Sequence, residues 1–96
     1  MNLVPGTQRV TSDIAVGSSG KPIRVFAVNL ISGGTASTLI LRNGTDTSGT
    51  AYDQVDGTIN VSISKSYAGG LRFPNGCFAD VDANISYATI IYSEEF

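Results

Sequence analysis

Oxygen-bearing side chains recur at every second position in segment 80–84 (DVDAN), which is how a calcium-binding loop begins. Such a loop also needs a glycine at its sixth position, for a sharp turn, and a bidentate glutamate at its twelfth. Those positions are Ile85 and Ile91 here. Alternation of polar and apolar residues is equally typical of a strand with one solvated face. We therefore predict that this segment binds no metal and that the protein uses no cofactor.

Catalytic groups are scarce in this chain. It has no histidine and one cysteine, Cys77, so no imidazole is present to activate a nucleophile or bind zinc. Asp53 and Asp56 could form the carboxylate pair of a glycosidase, but their glycine-rich surroundings contain little that would raise the pKa of one acid. We predict that the protein is not an enzyme, and that Cys77 is a small buried apolar residue.

The charge pattern argues against two classes of partner. Six basic and eight acidic residues give a net charge of −2, and the basic residues are scattered along the chain. Binding to nucleic acid through phosphates requires a clustered basic surface. No stretch approaches the roughly 20 apolar residues of a membrane helix, and the first residues do not resemble a secretion signal. We predict no contact with nucleic acid or membrane, and synthesis in a cytoplasm.

Short runs of Val, Ile, Thr and Tyr, broken by Gly, Asn, Asp and Pro, predict an all-β protein. Seven or eight such runs in 96 residues indicate one antiparallel β-sandwich domain spanning residues 1–96. A jelly roll or similar Greek key is the expected architecture, and an immunoglobulin-like topology stays open because periodicity does not encode strand order. Residues 1–8 are expected to form an extended N-terminal arm.

Individual strands and turns follow from the alternation. We predict a strand over 9–16, a hairpin at Gly33-Gly34, an exposed loop region over 43–57 with one short strand near 50–54, and a hairpin turn at 74–76. A strand over 58–65 would direct Ile59, Val61 and Ile63 inward. The aromatic residues expected in the core are Phe26, Phe78 and Tyr87.

The segment 67–82 (YAGGLRFPNGCFADVD), with the closing run 90–92 (IIY), resembles small structural proteins of tailed bacteriophages. In those proteins a glycine pair, an apolar residue and a phenylalanine precede a turn, a short acidic strand and a last apolar strand ending in tyrosine. The resemblance implies a virion component, such as a capsid decoration protein or part of a head fibre, connector or tail. It carries no functional residue across.

These observations lead to the hypothesis of a capsid decoration (cement) protein that bridges neighbouring capsid subunits on the surface of a virion. Its expected partners are the major capsid protein and other copies of itself, as in a trimer. The residues expected at interfaces lie near turns or chain ends: Leu3, Val4, Pro5, Tyr67, Phe73 and Phe96. The alternative is a carbohydrate- or receptor-binding module of a phage tail or head fibre, with loops 43–57 and 67–76 as its contact surface and Tyr52 and Tyr67 as contact residues.

Overall fold

A computed structural model describes residues 3–96, which form eight β-strands and no helix. The strands are β1 (Leu3–Val10), β2 (Ile14–Val16), β3 (Ile23–Ser32), β4 (Ser37–Asn43), β5 (Thr50–Gly57), β6 (Ser62–Phe73), β7 (Cys77–Val81) and β8 (Ile85–Glu95). They form two four-stranded sheets, the first in the order β1-β8-β3-β6 and the second in the order β2-β7-β4-β5. No helix within these residues could cross a membrane.

All the strand pairs are antiparallel, and the strand order is that of a jelly roll. The predicted antiparallel sandwich is therefore confirmed. Strand β4 pairs with β5 across loop 44–49, and this is the one hairpin among the described residues. Every other pair of consecutive strands lies in different sheets, so the chain crosses between layers at each of those connections.

The core lies between the two sheets, and every strand contributes apolar side chains to it. Strands β1, β5 and β6 are mostly polar and contribute one buried apolar residue each. Alternation along each strand sends every second side chain inward, and burying these side chains is the main stabilising contribution. The fully or almost fully buried residues are Val10, Val16, Ile23, Val25, Val28, Leu30, Leu39, Leu41, Val55, Phe73, Cys77, Ala79, Ala88 and Ile90.

A β-bulge in the middle of β3 changes the predicted assignment of its faces. Val25 pairs with Tyr92 and Ala27 with Ile91, so Phe26 is an extra residue with no partner on β8. The bulge shifts the alternation by one position, so that Val25 and Val28 both point inward. Phe26 is 38% exposed, and the expectation that it packs in the core was wrong.

Two predicted hairpins are connections between sheets. Gly33-Gly34 joins β3 of the first sheet to β4 of the second, and turn 74–76 joins β6 to β7 in the same way. The predicted strand over 9–16 is also divided, because β1 ends at Val10 and β2, in the other sheet, begins at Ile14. Local turn residues identify a reversal of the chain, but they do not indicate which sheet the next strand joins.

The predicted N-terminal arm is part of the first sheet. Residues 3–10 form β1, which pairs with β8 along its whole length. Pairing satisfies the backbone groups that face β8, so these residues are integrated in the sandwich as an edge strand. The first two residues of the expected arm lie outside the described part of the chain.

Candidate functional site

Three exposed apolar residues lie at one end of the first sheet, where β1 begins and β8 ends; as consecutive strand residues, Leu3 and Val4 point to opposite faces of that sheet. Leu3 lies opposite Glu95 in the register of β1 and β8, which places Phe96 beside the start of β1. Leu3, Val4 and Phe96 are 56%, 48% and 53% exposed. The ammonium group of Lys21 lies 5.3 Å from the centre of the Phe96 ring, within the range of a cation–π contact. We call Leu3, Val4 and Phe96 the terminal patch; the structure thus brings together three of the predicted interface residues.

A second exposed apolar group lies at the far end of the sandwich. Loop 58–61 makes a tight turn in which the Val61 amide donates to the Thr58 carbonyl and Asn60 has a φ of 55°. Ile59 and Val61 flank Asn60 and are 55% and 44% exposed. We call Ile59 and Val61 the loop tip. Sequence reasoning missed it, because the alternation of 58–65 resembles a strand although β6 begins only at Ser62.

Hydrogen bonds hold the loops around this tip together. The Asn60 amide donates to the Gly33 carbonyl, and the Gly33 amide donates to the Asn84 carbonyl. The amide of Val81 donates to Asp13 at 2.8 Å, which ties loop 11–13 to the end of β7. Loops 11–13, 33–36, 58–61 and 82–84 therefore form one surface, which we call the loop end.

The loop end is acidic. Asp82 accepts from the backbone amide of Thr38 at 3.1 Å, and the Thr38 hydroxyl lies 3.4 Å from Asp56. Asp13 and Asp82 line a shallow depression formed by residues 11–13 and 81–83. No lysine or arginine occurs in the four loops. The predicted alternation of segment 80–84 does not produce a shared ligand set, because Asp80 pairs instead with Arg42 at 2.9 Å. Within residues 3–96, no group of three acidic, histidine or cysteine side chains is placed to hold a metal ion.

Tyr67 has an internal role. Its hydroxyl donates to Asp53 Oδ2 at 2.6 Å, and Lys65 Nζ lies 2.7 Å from the same oxygen. Burial raises the pKa of Tyr67 well above its usual value, and the neighbouring Asp53 carboxylate raises it further. Partial burial also acts to raise the pKa of Asp53, but hydrogen bonds from Lys65 and Tyr67 outweigh that effect and lower it. The three side chains connect the edges of the two sheets, β5 and β6.

Phe73 does not reach the surface. Its side chain has no exposed area, and its ring stacks on Tyr52 with centroids 5.2 Å apart. Its position as the last residue of β6 directs it inward beside Ile23, with which it is paired. The expectation that Phe73 is open to an interface was therefore wrong. One face of the Tyr52 ring is covered by Phe73 and cannot contact a ligand.

The four sheet edges carry features that discourage pairing with another strand. Pro5, on the exposed β1 edge, has no N–H to donate, and proline in a sheet is found on such edges. Strand β2 has only three residues. Strand β5 carries Asp53 and Asp56, and β6 carries Lys65 and an irregular segment at 67–70, where four residues oppose Phe26 alone. We therefore expect the ends, and not the edges, to be the contact surfaces.

The outer face of the first sheet contains a groove of about 300 Å³ lined mainly by small polar and apolar residues. Residues of β3, β6 and β8 line it: Ala27, Val28, Asn29, Ser64, Lys65, Ser66, Thr89 and Ile91. Asn29 accepts hydrogen bonds from Ser62 at 2.7 Å and Ser64 at 3.2 Å. These bonds fix the Asn29 amide, so that its nitrogen remains to donate to a ligand.

Cys77 is buried, with 1% of its surface exposed. Burial raises the pKa of its thiol to about 12, so that the reactive thiolate is strongly disfavoured. The structure agrees with the interpretation of Cys77 as a packing residue, and its sulfur is not presented to a neighbouring molecule.

Comparison with known proteins gives a similarity of fold. No protein-family model matches the chain, and no curated protein matches it. A solved structure reported for Bacillus endospore appendages, which form a family of disulfide-linked pili, is similar with a TM-score of 0.55. The match covers 96% of this chain and 85% of that one, at 16% sequence identity. The described residues thus form a sandwich similar to that of a pilus-forming protein.

Proposed function

We propose that this protein is a structural subunit of a repeated assembly, and specifically a virion protein that decorates a capsid and bridges neighbouring capsid subunits. The observation that carries the proposal is the gathering of exposed apolar side chains at the two ends of the sandwich. Single exposed apolar residues are common on protein surfaces, but grouped ones mark contact sites. The terminal patch and the loop tip are the two surfaces through which we expect the protein to contact its neighbours in the assembly.

Cementing a shell requires many modest contacts repeated by symmetry. Each subunit that bridges two neighbours gains from the high effective concentration of the second contact once the first is made. A rigid jelly roll suits this task, and the similar Bacillus protein supports the wider class of repeated structural subunits. Because Cys77 is buried, we expect the contacts of this chain to be non-covalent.

The test is binding of the purified protein to capsid shells of the phage that encodes it. Wild-type protein should co-sediment with shells and saturate at a fixed ratio to the major capsid protein. Replacing Leu3 and Phe96 with serine should weaken binding, while the control Ser86→Asp, at an exposed position on β8, should leave it unchanged. A protein that never sediments with the shells would refute the capsid role.

The alternative function, a carbohydrate- or receptor-binding module of a tail or head fibre, is favoured by the groove on the first sheet. Hydroxyl and amide groups beside the apolar Ala27 and Ile91 are the kind of surface that binds a neutral sugar. Tyr52 and Tyr67 contribute less than the sequence suggests, because both rings have internal partners. Glycan-array binding that is lost in Asn29→Ala and kept in Ser86→Asp would support this function over capsid decoration.

A further inference from the structure

We propose that copies of this chain bind one another head to tail, with the loop tip of one copy on the terminal patch of the next. The inference rests on the proposed role as a structural subunit, and it identifies a second copy as the partner of these surfaces. It does not depend on a capsid.

The two surfaces lie at opposite ends of the molecule. The longest dimension is 42 Å, and β1 runs from Leu3 in the terminal patch to Val10, where loop 11–13 of the loop end begins. A surface on one end cannot contact the other end of the same molecule. Mutual binding of the two must therefore be intermolecular.

The apolar side chains are matched in kind and exposure. Ile59 and Val61 project from a turn, whereas Leu3 and Val4 are the first two residues of the edge strand β1, at the same end of the sheet as Phe96. A projecting pair can insert beside a flat aromatic ring, and both partners then lose contact with water. Burial of these groups is the favourable term in the association.

The charges around the two surfaces are complementary. Asp13 and Asp82 belong to the loop end, Asp56 lies beside it on β5, and no basic residue occurs in its loops. Beside the terminal patch, Lys21 and Arg24 take part in none of the ion pairs among the described residues. Of the acidic groups nearby, Glu95 pairs with Arg72, and Glu94 accepts hydrogen bonds from the neutral Ser18, so Lys21 and Arg24 outnumber the one carboxylate without a cationic partner. Asp46, on loop 44–49 of the second sheet, is bonded to Ser48.

Such a contact joins two different surfaces, and heterologous contacts of this kind produce either closed rings or open helical filaments. The loop tip connects β5 with β6, whereas the terminal patch lies on β1 and β8 at the opposite edge of the first sheet. Successive copies must therefore be rotated or displaced relative to one another. The cross-section of 25 × 18 Å limits the buried area to a few hundred Å² per partner, which is typical of weak, concentration-dependent contacts.

The test uses two double variants of the whole chain, free of any shell. The tip variant carries Ile59→Ser and Val61→Ser, and the patch variant carries Leu3→Ser and Phe96→Ser. All four side chains are exposed, so the thermal unfolding midpoint and circular dichroism spectrum should match those of the wild type. Oligomeric mass is followed by analytical ultracentrifugation over a range of protein concentrations.

We expect the wild type to gain mass with concentration, each variant alone to remain monomeric, and an equimolar mixture of the two to form a one-to-one dimer. The mixture restores one intact contact, and only a head-to-tail arrangement behaves in this way. The apparent association constant of each variant with itself should fall by roughly tenfold or more. Added salt should weaken the wild-type association, because the charged groups are exposed.

A wild type that remains monomeric at every concentration would overturn the inference. So would a variant that still associates with itself, because that result indicates a contact of like surfaces. If the wild type associates with itself as concentration rises but does not bind shells, the capsid role alone is refuted. Shell binding by a protein that never associates with itself would refute the head-to-tail contact alone.

Discussion

The Tyr67 hydroxyl donates a 2.6 Å hydrogen bond to Asp53, across the gap between the edge strands of the two sheets. Lys65 contacts the same carboxylate oxygen at 2.7 Å. The first sheet supplies the hydroxyl and the ammonium group, and the second supplies the carboxylate. A polar cluster thus closes one side of the sandwich, and Gln8 of β1, which donates to the Ala15 carbonyl of β2 at 2.9 Å, joins the sheets at the opposite side.

Removing the Tyr67 hydroxyl should measurably destabilise the fold. We expect Tyr67→Phe to lower the free energy of unfolding by about 1 kcal/mol, because a hydrogen bond to a charged acceptor is lost while the ring remains. Tyr52→Phe is the matched control, since the Tyr52 ring packs on Phe73 and no side-chain hydrogen bond of its hydroxyl is found in the described structure. Urea unfolding at neutral pH measures both. Equal effects of the two substitutions would contradict this role.

The same cluster predicts loss of stability in acid. The pKa of Asp53 is lowered from 3.8 in the folded state, so its stabilising contribution is present above that value and is lost as the pH falls through the folded pKa. Asp53→Asn should therefore lose less stability than the wild type between pH 7 and pH 3. Denaturant unfolding at the two pH values provides the comparison, and an identical loss in both proteins would show that Asp53 does not contribute.

Cys77 should be unreactive in the folded protein. With a thiol pKa of about 12, its thiolate fraction at pH 8 is roughly a thousandfold below that of an ordinary cysteine, and burial further limits access. Labelling with a chromogenic disulfide reagent should be slow in buffer and rapid in denaturant. Rapid labelling of the native protein would show that the thiol is accessible. A disulfide between subunits would then be a candidate contact, against the expectation of non-covalent contacts.

Gly70 should tolerate no side chain. It has a φ of 84°, and an added Cβ would overlap the Arg24 side chain and lie 3.0 Å from the Phe26 ring. We expect Gly70→Ala to cost about 1–3 kcal/mol of stability, from backbone strain and crowding. Gly34→Ala is the control, because Gly34 has an ordinary φ and no heavy atom within 4 Å of an added Cβ. The thermal unfolding midpoint should fall for the first substitution only.

The fold class could be predicted because burial of one sheet face imposes a period of two on the sequence. Strands β4 and β7, with Leu39, Leu41, Cys77 and Ala79 inward, follow that pattern closely. The bulge at Phe26 could not be predicted, because one unpaired residue leaves no local signal but reverses the faces beyond it. The sequence also does not predict which strands pair, since a Gly33-Gly34 turn is compatible both with a hairpin and with a crossing between sheets.

The candidate surfaces were predicted in part. Leu3, Val4 and Phe96 were expected at an interface because apolar residues at chain ends have no place in a small core, and the structure leaves them exposed. Ile59 and Val61 were assigned to the core because residues 58–65 alternate like a strand. The turn at Asn60 that exposes them could not be predicted, because it depends on a hydrogen bond to Gly33, which is distant in sequence. Long-range contacts of this kind determine which apolar residues remain outside.

The first and last described residues lie near each other, because Leu3 is opposite Glu95, the neighbour of Phe96. A purification tag fused to either end would cover the terminal patch and would act as a cap on growing chains of subunits. A tag inserted in loop 44–49 is attached to the second sheet and leaves Leu3 and Phe96 uncovered. Tag placement thus becomes a simple means of controlling assembly, and proteolytic release of an end tag would start polymerisation at a chosen moment.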